Sequence, residues 1–191
     1  KELHLTVAKS LVQLLSEGLV LPDQVAQQYA LASEKSLAFY YFQEAYRYYE
    51  SSGLLKKSKD MVENALSTIG TLDSREKEMS RYELQLKLAK IKVQLGEYTS
   101  AEENLAKLLA VPISAIKSEV LKYLGIIQSK TGNLKKSIEY FEKASGELHE
   151  ERAHPLVLDL QMLKATSLFH LAKYSEAEVL ISSLWPYQDW V

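Results

Sequence analysis

Apolar residues recur along this chain at the three- and four-residue spacings that are typical of amphipathic helices. Leu84, Leu88, Ile91 and Leu95 form one such stripe, because spacings of 4, 3 and 4 residues place all four on one side of a helix. Comparable stripes recur throughout residues 3–184. The pattern predicts about ten helices in antiparallel pairs, with no strand and no obvious linker.

A short motif interrupts these stripes at four places. A small residue, which is Gly53, Gly96, Gly132 or Ala172, is followed two positions later by Leu or Tyr and five positions later by Ala or Ser. Glycine lacks a Cβ and readily adopts the left-handed conformation that ends a helix. Each copy therefore predicts that one helix ends and the next begins at once, with the Ala or Ser where the two helices approach closely. The copies are 43, 36 and 40 residues apart, so the array is degenerate.

The N-terminal part lacks a clear copy of the motif but still predicts two helices. One runs over residues 3–17 and ends at Gly18, and Pro22 suits the first turn of a second helix that reaches Leu31. Pro112 and Pro155 stand between later helix pairs, where a helix can start but cannot continue.

These features divide the chain into three parts. Residues 1–35 are an N-terminal helical pair, residues 36–184 hold about four helix pairs, and residues 185–191 are an aromatic tail. The tail carries both tryptophans, and it either caps the open end of the array or begins a further repeat. If a further repeat is cut away, its exposed apolar face could join two copies of the chain into a homodimer. Because the chain opens with Lys1 rather than Met, we expect it to be a fragment of a longer protein.

Composition narrows the possible partners. Hydrophobic residues make up 47% and charged residues 25% of the chain, which is ordinary for a globular protein. The net charge of −2 provides no field to attract nucleic acid or an anionic membrane. The absence of cysteine excludes disulfides and thiolate metal sites. We therefore predict a cytoplasmic protein that binds neither nucleic acid nor membrane.

The four motif copies resemble the tetratricopeptide (TPR) repeat. The copy around Gly132 matches it best, with Tyr123-Leu124-Gly125 before the glycine and Leu134, Ser137, Phe141 and Ala144 after it. The copy around Gly53 departs most, since Tyr46 stands where the motif has Gly or Ala. The spacings exceed the 34 residues of the ideal repeat, so HEAT-type repeats of about 40 to 47 residues are the alternative. The resemblance implies an all-α protein, an open right-handed superhelix of antiparallel helix pairs that serves as a non-catalytic protein–protein interaction module.

A second resemblance concerns the N-terminal part. Leu3-His4, Val25-Ala26-Gln27-Gln28-Tyr29 and Lys35-Ser36-Leu37 resemble the segment that joins the nucleotide-binding core of large (STAND-type) signal-transduction ATPases to their helical repeats. Those families usually have a histidine where Gln28 stands, and the chain has no phosphate-binding glycine-rich loop. The resemblance implies a regulatory region of a larger signalling protein. The alternative is a free-standing adaptor that senses a short peptide in its groove.

Catalytic chemistry finds little support in the sequence. His149 and His154 are five residues apart, one too many for the zinc-protease motif, and would point in different directions on a helix. No G-x-S-x-G nucleophile turn occurs. We predict no catalytic residue, no metal site and no cofactor.

In TPR proteins the first helix of each pair lines the concave surface, and this resemblance implies the candidate partner-binding residues. We call them the inner-face residues: Tyr40, Gln43, Arg47, Glu83, Leu86, Lys90, Glu119, Lys122, Asp159, Met162 and Thr166. The set mixes both charges with apolar side chains and lacks the Lys and Asn pattern of the clamp by which some chaperone adaptors hold a peptide carboxylate. The partner is a protein or peptide segment, or another domain of the same chain.

Five tyrosines crowd residues 40–49 and surround the predicted helix rather than one side of it. Packing between helices explains most of them. The alternative is that some are exposed and line an interface, because tyrosine offers both apolar area and a polar tip.

Overall fold

The computed structural model describes residues 1–69, 75–148 and 155–184. Within these ranges every regular element is an α-helix, and there are ten of them, which confirms the all-α prediction. Their bounds are α1 Glu2–Ser16, α2 Pro22–Leu31, α3 Lys35–Ser51, α4 Leu55–Ile69, α5 Arg75–Gln94, α6 Tyr98–Leu108, α7 Ser114–Lys130, α8 Leu134–Gly146, α9 Pro155–His170 and α10 Tyr174–Leu184.

The four predicted joints share one backbone motif. Gly53, Gly96, Gly132 and Ala172 all have a left-handed backbone, with φ of 71°, 78°, 87° and 59°. At each joint the N–H of the following residue donates to the carbonyl five residues before it, which satisfies one of the last free carbonyls of the helix. The next helix begins at most two residues after the joint, as the motif predicts.

A fifth tight joint escaped the sequence pattern because a serine holds the left-handed position. Ser33 has φ of 66°, and the N–H of Glu34 donates to the carbonyl of Tyr29 across 2.9 Å. Ala38, five positions after Ser33, is fully buried like the small residues of the other joints. The turn from α2 to α3 is therefore as tight as those that carry glycine.

The chain forms two compact units, Lys1–Glu97 and Tyr98–Val191. In the first, helices α1 to α5 pack in sequence, each on the next, around a core that includes Val25, Phe42 and Val62. In the second, α6 to α10 pack in the same sequential way, with Leu121, Phe141 and Leu160 in one core cluster. Each unit thus buries its apolar stripes between neighbouring helices, as repeat proteins do.

The small residue five positions after each predicted joint is buried in all four copies. Ser58, Ala101, Ser137 and Ala177 are at most 3% exposed. The hydroxyls are satisfied, since Ser58 donates to the carbonyl of Tyr46 at 3.2 Å and Ser137 shares a 2.9 Å hydrogen bond with Ser167. This position is where neighbouring helices come close, as predicted. In the part of the chain that the structure describes, no helix is both long and apolar enough to span a bilayer.

Candidate interaction surface

Helix α3 distributes its tyrosines around its whole circumference. Tyr49 is buried, 2% exposed, and donates a hydrogen bond to Asp23 of α2. Tyr40 lies on the opposite side and is 54% exposed, and Tyr48, whose ring meets that of Tyr49 edge-on at 5.4 Å, is 43% exposed. Tyr41 and Tyr46 are half-buried. Part of the cluster is therefore core and part of it is exposed, and whether the exposed tyrosines line an interface stays a prediction.

Tyr40 is the outer member of a row of three aromatic rings. Its ring meets that of Tyr41 edge-on, with centroids 5.1 Å apart. Tyr41 in turn stacks on Tyr29 of α2, at 5.5 Å and with 12° between the ring planes. Burial, followed by the neighbouring tyrosines and Glu44, raises the pKa of Tyr41. The row holds Tyr40 on a rigid base while its own ring faces solvent.

Arg47 is anchored on the same helix. Its guanidinium donates to Glu44 at 2.5 Å and to Gln43 at 3.3 Å, and lies 5.6 Å from the ring centroid of Tyr46. The structure thus brings two inner-face residues, Gln43 and Arg47, into contact. Arg47 remains exposed beside them.

The inner-face residues of α5 differ in exposure. Glu83 is exposed, Lys90 is half-buried and Leu86 is buried at 8% exposure. Leu86, Ala89 and Val93 form a second buried stripe on this helix besides the one that contains Leu84. The side chain of Leu86 is therefore not presented to solvent.

Lys87 of α5 belongs to this surface but was not predicted. Its ammonium group donates to both carboxylate oxygens of Glu50 on α3, at 2.9 and 3.0 Å, and lies 5.9 Å from the ring centroid of Tyr46. Its position four residues after Glu83 would have placed it on the same side of the helix. Two exposed residues of α3, Leu37 and Tyr48, were also missed, although Tyr48 was part of the recognised cluster.

In the second unit, Lys122 of α7 and Asp159 of α9 form an ion pair of 2.5 Å. The lysine side chain is only 14% exposed, whereas that of the aspartate is 48% exposed. Burial lowers the pKa of Lys122, but the hydrogen bond to Asp159 and the charges of Glu119 and Asp159 outweigh it, so the pKa rises. Three inner-face residues, Glu119, Lys122 and Asp159, thus interact electrostatically. The ion pair links α7 to α9, the first helices of two successive repeats.

The remaining inner-face residues of α9, Met162 and Thr166, present mainly apolar groups to solvent. Met162 is 42% exposed. The hydroxyl of Thr166 donates to the carbonyl of Met162 at 2.9 Å, so its donor is used within the helix. This part of the surface offers a partner a methionine and a threonine methyl group.

Of the four histidines, the structure describes His4 and His170. His149, His154 and residues 185–191 all lie outside the described residues. The Nδ1 of His4 donates a 2.8 Å hydrogen bond to Oε1 of Gln28, which joins α1 to α2. Over the described residues, no group of three or more His, Asp or Glu side chains could hold a metal ion.

Solved structures decide the fold type. A single-residue variant of a kinesin light chain-like protein from Podosopora anserina, which has nearly identical TPR-like repeats, matches with a TM-score of 0.69 and 18% identity over 98% of this chain and 93% of its own. BtubC from P. vanneervenii matches with a TM-score of 0.68 and 17% identity over 91% and 72%. The fold is tetratricopeptide-like.

A third match is YrrB, described as a TPR protein with an unusual peptide-binding site. It matches with a TM-score of 0.56 and 15% identity over 88% of this chain and 85% of its own. No protein family profile and no curated protein matches the sequence. At these identities the likeness establishes the TPR-like fold alone.

Proposed function

We propose that this TPR-like chain is a non-catalytic protein–protein interaction module that binds a partner segment along its inner-face residues. The observation that carries the proposal is the surface of α3, where Tyr40 and Arg47 are exposed yet held by neighbouring side chains. Tyrosine and arginine are the residue types that dominate binding energy at protein interfaces, especially where they are preorganised. Leu37 and Tyr48 add exposed apolar area on the same helix.

The charges among the inner-face residues and their neighbours, taken within each unit, favour a partner segment of low net charge. Arg47 is paired with Glu44, Lys87 with Glu50 and Lys122 with Asp159. A strongly acidic or basic partner would have to compete with these internal pairs. A segment with aromatic or aliphatic anchors would leave them intact and bury the exposed rings instead.

The setting of this activity is part of the proposal. We infer a cytoplasmic regulatory region of a larger signalling protein, which the resemblance of the N-terminal part to STAND-type ATPases supports. The alternative is a free-standing adaptor for a short peptide, and the peptide-binding site named for YrrB favours it. The domain arrangement of the intact gene product separates the two, because only the first requires a nucleotide-binding domain next to these repeats.

Two surface grooves give little support to catalysis. One, of about 520 Å³ at the turn from α7 to α8, has Lys135 and Lys136 as the titratable residues in its lining. The other, of about 480 Å³ between α9 and α10, contains Lys164 and Glu176, but Lys164 is already paired with Glu142 at 2.7 Å. Neither lining includes a histidine that could serve a serine nucleophile as its base.

The test is selection of peptides that bind the full chain from a random displayed library. The dissociation constant of a labelled selected peptide is then measured by fluorescence anisotropy for the wild type, Tyr40→Ala and Arg47→Ala. We expect each substitution to weaken binding by about tenfold or more, as for an interface hot spot. Tyr174→Ala is the matched control, because Tyr174 is exposed to a similar extent but lies on α10. Unchanged affinity in Tyr40→Ala and Arg47→Ala, or failure to select any peptide, would contradict the proposal.

A further inference from the structure

The polar groups on one side of α3 use their acceptors on one another and keep donors for a partner. Arg47 donates one N–H to Oε1 of Glu44 and another to Oε1 of Gln43. These two bonds occupy the amide oxygen of Gln43 and one carboxylate oxygen of Glu44. A guanidinium has five N–H groups and a primary amide has two, so Arg47 and Gln43 both retain donors.

The same side of the helix combines these donors with apolar surface. We call it the α3 face, and its members recur at spacings of three or four residues: Leu37, Tyr40, Gln43, Glu44 and Arg47. Leu37 and Tyr40 are exposed. The rings of Tyr40 and Tyr41 meet at an angle of 85°, so they form a corner in which the ring of Tyr40 is the wall that faces solvent.

We propose that the partner segment bound at the α3 face is rich in proline and adopts the polyproline II conformation. The proposal deepens the proposed function and rests on it. In this conformation the backbone carbonyls make no internal hydrogen bonds, and each proline lacks an N–H. Such a segment brings acceptors to a surface that has donors to spare. At its prolines it has no N–H that would be buried without an acceptor.

The apolar part of the α3 face fits the same partner. A proline ring packs on the exposed ring of Tyr40, with Leu37 beside it, as in other aromatic-lined sites for polyproline II segments. The conformation is largely formed before binding, so less backbone entropy is lost when the segment docks. Tyr40 is likewise held in place by Tyr41 before the partner arrives.

Other backbone conformations fit these groups less well. A helical partner satisfies its own carbonyls and leaves the donors of Gln43 and Arg47 without acceptors. A partner strand pairs with the free edge of a sheet, and every regular element in residues 1–69, 75–148 and 155–184 is a helix. A strongly acidic segment would have to compete with Glu44 for Arg47. A proline-rich segment of low net charge avoids all three conflicts.

The dimensions of the α3 face indicate the spacing of the prolines. Tyr40 and Arg47 are seven residues apart, which is about 10 Å along a helix. One turn of a polyproline II helix has three residues and rises about 9 Å. When one proline lies on Tyr40, the residue three positions along the segment therefore reaches Arg47, which donates to a carbonyl there. We expect the motif Pro-x-x-Pro in the partner.

Two displayed peptide libraries of equal size test the proposal on the full chain. Their peptides have random residues other than proline, except at two positions three apart, which are proline in one library and alanine in the other. Alanine restores the N–H and the freedom of the backbone. The dissociation constant of the tightest labelled peptide from each library is measured by fluorescence anisotropy. We expect the proline peptide to bind at least about tenfold more tightly than the alanine peptide.

Variants of the full chain locate the site of the proline peptide. Tyr40→Ala should weaken binding by about tenfold or more. Tyr40→Phe should weaken it less, because the ring is kept and only the hydroxyl is lost. Tyr174→Ala is the control and should bind as the wild type does, since Tyr174 is exposed but lies on α10. Circular dichroism confirms that the variants keep their helix content.

Three outcomes would overturn the proposal, and they separate it from the proposed function. Alanine peptides that bind as tightly as proline peptides, and that lose affinity in Tyr40→Ala, would refute the proline-rich partner and leave the interaction surface in place. Proline peptides whose affinity is unchanged in Tyr40→Ala would bind at another surface. Failure of both libraries to yield a binder would contradict this proposal and the proposed function together.

Discussion

Gly125 lies directly beneath the ring of Phe141, which makes this the closest helix approach that a glycine provides in the described part of the chain. A Cβ at position 125 would be 2.4 Å from Cε1 and 2.7 Å from Cδ1 of Phe141. Phe141 is 1% exposed and belongs to the core cluster of α7, α8 and α9, so its ring has little room to move. The glycine is thus required by the neighbouring helix and not by its own backbone.

Gly125→Ala should therefore destabilise the protein although alanine is the better helix former. Overpacking a core costs about 1 to 3 kcal/mol, and the gain in helix propensity offsets at most about 1 kcal/mol of it. Urea denaturation followed by circular dichroism measures the change in the free energy of unfolding. Gly146→Ala is the control, since a Cβ at Gly146 meets nothing within 4 Å. Equal stability of Gly125→Ala and wild type would show that Phe141 can yield.

The buried hydroxyl pair of Ser137 and Ser167 should tolerate loss of one member but not added volume. The hydroxyl of Ser137 donates to that of Ser167, which in turn donates to the carbonyl of Leu163 of its own helix. Ser137→Ala therefore leaves Ser167 with a partner, and we expect a loss below about 1 kcal/mol. Ser137→Val adds volume at a fully buried position and should cost about 1 to 3 kcal/mol. The two variants are compared by thermal unfolding, and equal midpoints would contradict a close helix approach at this position.

The joints could be predicted from sequence because their signal is local. A glycine followed by a small residue five positions later is enough to identify the joints at Gly53, Gly96 and Gly132. The joint at Ala172 could be identified because a tyrosine stands two positions after it. Ser33 could not be found in this way, since serine rarely adopts that conformation and the deciding hydrogen bond from Glu34 to Tyr29 depends on the fold.

The surface was harder to predict because it depends on contacts between helices. Helix α5 has two buried stripes, so no single apolar side marks which residues face solvent, and Leu86 was included although it is buried. The partners of Lys122 and Lys87 lie on other helices far along the chain, Asp159 for one and Glu50 for the other. No spacing rule within one helix can reveal such pairs. The right-handed path of the whole array and the division at residues 35 and 184 stay predictions.

Removal of the carboxylate that pairs with Lys122 should lower the pKa of its ammonium group. In the wild type, burial is outweighed by the hydrogen bond to Asp159 and by the charges of Glu119 and Asp159, so the pKa of Lys122 is raised. A raised lysine pKa contributes stability that is present below the unfolded value of about 10.4 and is lost as the pH rises past the folded value. In Asp159→Asn burial is opposed chiefly by Glu119. We expect a lower pKa in an NMR titration of the lysine side chain and a stability loss near neutral pH of about 1 kcal/mol or less, because Asp159 is half exposed.

Glu142→Gln is the control for this measurement. Glu142 of α8 pairs at 2.7 Å with Lys164, which lies on α9 as Asp159 does, and Glu142 has no part in the Lys122 pair. The Glu142→Gln substitution should leave the pKa of Lys122 unchanged. A pKa of Lys122 that does not fall in Asp159→Asn would mean that the ion pair does not persist in solution.

Tyr49 should make the protein sensitive to alkaline pH. Burial, followed by the hydrogen bond to Asp23 and the charge of its carboxylate, raises the pKa of Tyr49 from 10.0 to about 12. The neutral phenol is thus favoured in the folded state, and the stability it contributes is present below pH 10 and is lost as the pH rises from about 10 to about 12. A rise in pKa from 10.0 to about 12 corresponds to about 3 kcal/mol.

Tyr49→Phe removes the group that titrates, so its free energy of unfolding should fall less steeply over this range than that of the wild type. At pH 8 the variant should be less stable by about 1 kcal/mol, since Asp23 loses a donor. Urea denaturation at a series of pH values measures both effects. Tyr48→Phe, which removes an exposed hydroxyl from the adjacent position, should keep the wild-type slope. Identical slopes for the wild type and Tyr49→Phe would show that folding does not raise the pKa of Tyr49.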